Sequence, residues 1–209
     1  MKLRGLYAIT PEGLGTGALV AAVRCALDGG AAMLQYRNKM AGADLRREQA
    51  LALLALTRKQ HVPLIVNDDV ELAASIDADG VHVGKDDGAV AAVRRKLPGK
   101  LLGVSSYASV DLAREAVAAG ADYVAFGSVF PSATKPLAVR APLSVFRQAR
   151  ALGVPLIAIG GITIENAAAV VDAGADCIAV ISDLFGASDV RSRAAEFAHL
   201  FATSRAISP

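Results

Sequence analysis

Pro63-Leu64-Ile65-Val66-Asn67-Asp68-Asp69 joins a strand to a charge cluster within a few residues. Its first half is apolar, β-branched and entered through a proline, and reads as a short buried strand. Its second half, an amide and two carboxylates, ends that strand. Adjacent carboxylates repel, and burying them is costly unless a cation or hydrogen bonds meet them. Two readings stand side by side. Asn and Asp accept hydrogen bonds from the free backbone N–H groups of a helix start. Alternatively, the cluster is part of a cation site, which needs further groups from other segments.

The flanks extend the pattern in both directions. A helix is predicted over 44–60, with Leu45, Leu53 and Leu56 on one side, and a short one over 70–76. Strands are predicted over 5–10, 32–38, 63–68, 80–84, 101–106, 122–129, 155–160 and 177–182. Further helices over 16–28, 89–97, 109–119, 142–152, 164–173 and 188–202 separate them. In the last helix Val190, Ala194, Phe197 and Phe201 share one face of a 3.6 period. Strands separated by helices imply parallel pairing. Eight such units of about 26 residues, without a composition break, predict an α/β fold: one single-domain (β/α)8 TIM barrel over 1–209. The open doubly wound sheet is the alternative; it usually has fewer strands, and no Gly-x-Gly-x-x-Gly follows the first strand.

A weak internal repeat supports the barrel. Gly29-Gly30-Ala31-Ala32-Met33, Ile76-Asp77-Ala78-Asp79-Gly80-Val81, Ala119-Gly120-Ala121-Asp122-Tyr123 and Ala173-Gly174-Ala175-Asp176-Cys177 each close a helix and open a strand. Glycine there caps the helix, and small residues allow close packing of helix on sheet. These turns lie on the stability face of a barrel, so Asp79, Asp122 and Asp176 are assigned to structure.

Of the 209 residues 54% are hydrophobic, yet no apolar run reaches the length that spans a bilayer. The N-terminal segment is broken too soon for a signal peptide. Net charge is only +2, aromatics are 5% and tryptophan is absent, which argues against a nucleic-acid partner and for a small molecule. Cys25 and Cys177 have apolar neighbours and are expected as buried free thiols in a reducing cytoplasm.

Active groups of a barrel sit at the C-terminal ends of its strands. On the second strand Gln35, Arg37 and Lys39 share a face by alternation. The third ends in Asn67, Asp68 and Asp69, and the fourth in His82-Val83-Gly84-Lys85-Asp86-Asp87. Ser105 and Ser106 end the fifth, and the loop after the sixth carries Ser132, Thr134 and Lys135. Gly160-Gly161 and Ile181-Ser182 end the seventh and eighth, where barrels often cradle phosphate on backbone N–H groups. Neighbouring carboxylates with few nitrogen or sulfur donors suit Mg²⁺, often completed by substrate phosphates. Arg37, Lys39 and Lys135 are suited to grip those phosphates. His61 and His199 are predicted on helices and exposed, and His82 packed within its strand. No Ser-His-Asp or Cys-His arrangement is evident, which suits a reaction whose leaving group needs help and whose nucleophile does not.

From Leu6-Tyr7-Ala8-Ile9-Thr10 through Ile181-Ser182, these motifs in this order resemble the thiamine phosphate synthase family. The resemblance implies a (β/α)8 barrel that joins aminomethylpyrimidine diphosphate to thiazole phosphate with Mg²⁺ and releases diphosphate. It implies that Gln35, Arg37, Lys39 and Asn67 hold the pyrimidine substrate and its diphosphate, with Ser105 and Lys135 also touching it. Asp68 and Asp87 would be the Mg²⁺ ligands. Ser132, Thr134, Gly161, Ile181 and Ser182 would hold the thiazole phosphate. Lys85, Ser132 and Tyr107 depart from the commonest family wording, which has glutamine, threonine and histidine there. The loop 130–141 is the longest between a strand and a helix and is expected to close as a lid. A thiazole tautomerase on the same barrel, and a non-catalytic barrel that binds a phosphorylated metabolite, are the alternatives.

Overall fold

The computed structural model describes residues 3–85, 87–131 and 140–203. Each apolar run pairs with the next. The parallel strands β1 (Gly5–Ile9), β2 (Met33–Tyr36), β3 (Leu64–Asn67), β4 (Gly80–Val83), β5 (Leu101–Tyr107), β6 (Tyr123–Phe126), β7 (Leu156–Ile159) and β8 (Cys177–Val180) follow one another in chain order. β1 also pairs with β8, with Tyr7 opposite Ala179, and this closes the sheet into a barrel.

Among the described residues the helices are α1 (Thr16–Asp28), α2 (Ala43–Lys59), α3 (Val70–Ser75), α4 (Val90–Lys96), α5 (Val110–Ala118), α6 (Ser144–Ala149), α7 (Ile164–Asp172), α8 (Ser182–Phe185) and α9 (Val190–Thr203). None is long and apolar enough to cross a membrane.

Alternation along the strands divides the apolar side chains between two cores. Tyr7, Met33, Ile65, Tyr123, Ile157 and Cys177 fill the barrel. Their chain neighbours, such as Leu6, Leu34, Leu64 and Ile178, pack with the helices in a larger outer layer. Gly103 faces Tyr123 in the register, and a Cβ there would overlap the tyrosine ring. The glycine is the room that lets a large aromatic lie inside so narrow a barrel.

The three aspartates of the internal repeat fasten the opposite face. Asp79 Oδ2 accepts from the Leu64 N–H at 2.8 Å, Asp122 Oδ2 from Leu102 at 2.8 Å and Asp176 Oδ2 from Leu156 at 2.9 Å. Each carboxylate opens an even-numbered strand and satisfies a backbone donor at the start of the odd-numbered strand before it. Ala32 stands in the equivalent place before β2, with no carboxylate to offer.

Several expectations need correction. Cys177 is buried, but Cys25 is exposed: the buried positions of α1 are Leu19, Val23, Ala26 and Leu27, and residue 25 turns outward between them. His61 is exposed as expected but lies in the turn after α2, with φ +56°, rather than on the helix. β8 ends at Val180, and the backbone of Ile181 leaves the extended region (φ −114°, ψ −79°) to begin α8, a helical turn the sequence did not suggest.

Candidate active site

The C-terminal rim is built first by the alternation of β2. Tyr36 and Asn38 point to α2, where both donate to Gln49 Oε1 (2.9 and 3.1 Å). Gln35 faces the barrel interior; β2 ends at Tyr36, short of the expected 38, so Arg37 and Lys39 lie on the segment that leaves the strand at the rim. Thr10, at the end of β1, holds the rim in register: its Oγ1 accepts from the Arg37 N–H at 2.8 Å and donates to the Arg37 carbonyl at 2.9 Å. Glu12 completes the corner. One of its oxygens accepts from Arg37 Nη1 at 2.6 Å and from the Lys39 N–H at 3.1 Å.

At the end of β3 the two adjacent carboxylates part company. Asp69 is the N-cap of α3, its Oδ1 accepting from the Leu72 N–H at 2.9 Å. Asp68 takes a left-handed backbone, φ +62°, in a tight turn closed by the Asp69 N–H and the Asn67 carbonyl. Aspartate tolerates that conformation better than most residues. So the capping reading holds for Asp69, and Asp68 is directed to the rim instead. There Asp68 Oδ2 meets Lys39 Nζ at 2.8 Å.

Asp68 and Asp87 are brought together and share a hydrogen bond. Asp87 Oδ2 also accepts from the Gly84 N–H at 2.7 Å, which ties its loop back to β4. Burial pushes the Asp68 carboxyl up, but the Lys39 ammonium, with hydrogen bonds from Asp87 and Asn67, more than reverses this and holds it low. Asp87 is held high, by burial against the opposing pull of the Gly84 N–H, and then by the Asp68 charge beside it. The pair thus sets two carboxyl groups of opposite shift beside one ammonium, an arrangement of donors suited to a cation of higher charge. All-oxygen donors suit a hard ion such as Mg²⁺. Among the described residues no three His, Cys, Asp or Glu side chains converge, so diphosphate oxygens or water would complete the shell of such an ion. A cleft of about 560 Å³ runs from Lys39, Asn67, Asp68 and Asp87 outward past Asn38 and Arg46 of α2 to the start of α3.

Below the rim a chain of polar groups crosses the barrel interior. Gln35 Nε2 donates to the Tyr7 hydroxyl at 2.9 Å, and the Tyr7 and Tyr123 hydroxyls lie 2.9 Å apart. Tyr123 Oη is 3.3 Å from His82 Nδ1, and His82 Nε2 is 2.9 Å from Ser105 Oγ. Burial lowers the His82 imidazole to about 4, against the pull of the Asp68 charge, so it is neutral at physiological pH. Ser105 lies at the half-buried end of this chain, whereas Ser106 is fully buried with its Oγ unpaired.

On the far side Gly160 (φ +104°) and Gly161 (φ +63°) turn the chain sharply after β7. A Cβ on either would run into Ser128 or Pro131 of the loop after β6. The Val129 and Phe130 N–H groups donate to the Ile159 and Gly160 carbonyls, both at 3.0 Å, and hold the loop against these glycines. Ile181 and Ser182 follow β8 at the same rim. Ser132, Thr134 and Lys135, and most of the expected lid over 130–141, lie outside the described residues, as does Asp86.

Sequence reasoning missed several members. Glu12 and Arg46 gave no signal, being single charges in a loop and on a helix. Tyr7 and Tyr123 read as apolar fillers; the cue was a tyrosine at an inward position with a glycine in register beside it. His82 is buried as expected, but both ring nitrogens have partners.

The profile of the thiamine monophosphate synthase family matches residues 6–184. A thiamine-phosphate synthase of Methylobacillus flagellatus is 54% identical over 200 residues, covering 95% of this chain and 96% of that protein. One of Aromatoleum aromaticum is 57% identical over 202 residues, covering 96% and 97%. The solved structure of a thiamine phosphate pyrophosphorylase from Pyrococcus furiosus superposes with a TM-score of 0.86 at 38% identity, covering 96% of each chain. With a match over nearly its whole length and a common barrel, the chain belongs to the thiamine monophosphate synthase family and is a transferase of thiamine biosynthesis.

Proposed function

We propose that the protein couples aminomethylpyrimidine diphosphate to thiazole phosphate, giving thiamine phosphate and diphosphate, with Mg²⁺ held at Asp68 and Asp87. One observation carries this reading: opposite charges from adjacent strands meet at one rim, with Lys39 Nζ 2.8 Å from Asp68 and Asp87 hydrogen-bonded beside them.

The thiazole nitrogen is a neutral nucleophile and needs no base. The bond from the pyrimidine methylene carbon to the diphosphate oxygen breaks first, and its electron pair leaves with the oxygen. Arg37 and Lys39 exchange Glu12 and Asp68 for the diphosphate oxygens, and Lys135 adds a third cation. Such preorganised charges contribute roughly 3 kcal/mol each to a departing anion. Asp68 and Asp87 would hold Mg²⁺, which would supply further charge neutralisation for the departing diphosphate. Gln35, Asn67 and Ser105 orient the pyrimidine diphosphate. Ser132, Thr134, Gly161, Ile181 and Ser182 hold the thiazole phosphate. The electron-poor pyrimidine left by departure would be quenched by water, which gives the loop 130–141 its purpose as a lid.

The test is to incubate purified protein with both substrates and Mg²⁺ and to assay coupled product by mass and released diphosphate. The expected result is stoichiometric formation of both, with Asp68→Asn keeping its circular dichroism spectrum and losing most turnover. No coupled product from the wild type would overturn the reaction, and undiminished turnover by Asp68→Asn at limiting Mg²⁺ would overturn the metal assignment.

A further inference from the structure

The interior chain from Gln35 to Ser105 has a direction, and one end determines it. The amide nitrogen of Gln35 can only donate, and it donates to the Tyr7 oxygen at 2.9 Å. Either hydroxyl of the Tyr7–Tyr123 pair can donate across the 2.9 Å between them, but only with Tyr7 as donor does every proton of the chain find an acceptor once Gln35 donates to Tyr7. Tyr123 in turn has its proton left for His82 Nδ1 at 3.3 Å. An imidazole that accepts at Nδ1 carries its proton on Nε2, and Nε2 donates to Ser105 Oγ at 2.9 Å. Ser105 receives that bond, so its own proton is free to point into the rim. Reversing the Gln35 amide would reverse every link. Ser105 would then donate inward to His82 and present only lone pairs to the mouth, which an anion repels.

We infer that this chain is a positioning device: Gln35, through Tyr7, Tyr123 and His82, makes the Ser105 hydroxyl a hydrogen-bond donor to the departing diphosphate. The inference rests on the proposed reading that diphosphate leaves at this rim. Tyr7, Tyr123 and His82 act through Ser105 and are positioning residues. The packing keeps the links in line. The His82 and Tyr123 rings stack at 5.7 Å, the Tyr7 and Tyr123 rings meet edge to face at 6.2 Å, and Gly103 leaves the space Tyr123 occupies.

Two measurements test it. In wild-type protein labelled with ¹⁵N-histidine, with Mg²⁺ and inorganic diphosphate as the probe, His82 is assigned as the resonance missing from His82→Gln. It is expected as a single Nε2–H tautomer, and Tyr123→Phe is expected to give a mixture. An Nδ1–H tautomer in the wild type, or an unchanged tautomer in Tyr123→Phe, overturns the inference. This readout needs no turnover, so it judges the direction of the chain even if the wild type makes no coupled product, a result that would instead sink the reaction. The second measurement is a double-mutant cycle. Tyr123→Phe should lower kcat about 10-fold in the wild type but less than about 2-fold in Ser105→Ala, because the hydroxyl to be oriented is already gone. Multiplicative losses in the double variant would mean that Tyr123 acts without Ser105, and would overturn the inference.

Discussion

Replacing Asp87 by asparagine should make the metal-free protein more stable. The folded state holds the Asp87 carboxyl above its ordinary value, by burial against the Gly84 N–H and then by the neighbouring Asp68 charge. A carboxyl raised in the fold adds stability below its unfolded pKa and loses it as pH rises through the folded value. At neutral pH the ionised side chain is therefore a net cost, and asparagine resembles the protonated form. Two unit charges about 4 Å apart at an effective dielectric of about 20 repel by about 4 kcal/mol. The Lys39 ammonium, 2.8 Å from Asp68, offsets part of this, and both carboxylates are partly exposed. Screening of that kind leaves about 1 kcal/mol. For a chain of this size that raises Tm by about 2–4 °C. Asparagine can still accept from the Gly84 N–H, so the loop keeps its anchor. The assay is thermal unfolding in a chelator, then with saturating Mg²⁺ and inorganic diphosphate. Ligation at about 100 times Kd adds about 2.7 kcal/mol to the wild type. The two melting curves should therefore cross, with the variant higher in chelator and the wild type higher with ligands. A variant that melts lower in chelator, or gains as much as the wild type from Mg²⁺, would refute the electrostatic account of the pair.

Other positions test the fold beneath the site. Gly103→Ala places a methyl group in the Tyr123 ring, and overpacking of this kind costs about 3 kcal/mol, read as a lower Tm by circular dichroism. Asp176→Ala leaves the buried Leu156 N–H without its acceptor and should cost about 2 kcal/mol, with Asp176→Asn recovering most of it. A thiol reagent should label Cys25 in the native protein and reach Cys177 only after denaturation, because Cys177 is buried and its thiol is pushed up to about 12.

The order of strands was legible because several helix-to-strand boundaries repeated one chemistry. Before β4, β6 and β8 small residues closed a helix, an aspartate tied back to the preceding strand, and an apolar run followed. That Gln35 turns inward while Tyr36 faces the helices was legible from a period of two, but Arg37 and Lys39 lie past the end of β2, where contacts with Thr10 and Glu12 place them. The division of labour between Asp68 and Asp69 was not legible. It depends on a left-handed turn at Asp68, and either of two adjacent aspartates can adopt that conformation. Cys25 misled for a related reason: its sequence neighbours are apolar, but helical phase, not adjacency, decides burial. The polar chain through the barrel was hidden because Tyr7 and Tyr123 lie among apolar residues, and only closure of the sheet brings β1 beside β6 across the interior.

Closure also explains how so much charge is kept at one rim. A strand end bearing two cations, Arg37 and Lys39, would repel itself and invite water into the barrel mouth. Here each cation meets a carboxylate from a neighbouring strand or loop, Glu12 after β1 and Asp68 after β3. Charge alternates around the rim, so the fold tolerates the cluster without any ligand present. On the proposed reading the same alternation sets the terms of binding. Diphosphate alone would draw the cations away and leave Asp68 beside Asp87 with nothing to neutralise them. A divalent cation alone would displace Lys39 and leave an ammonium without a partner. The two together exchange the Lys39–Asp68 pair for two others of opposite sign and leave Glu12 on the Lys39 backbone N–H, which makes metal and diphosphate binding interdependent through Lys39 and Asp68, which already touch.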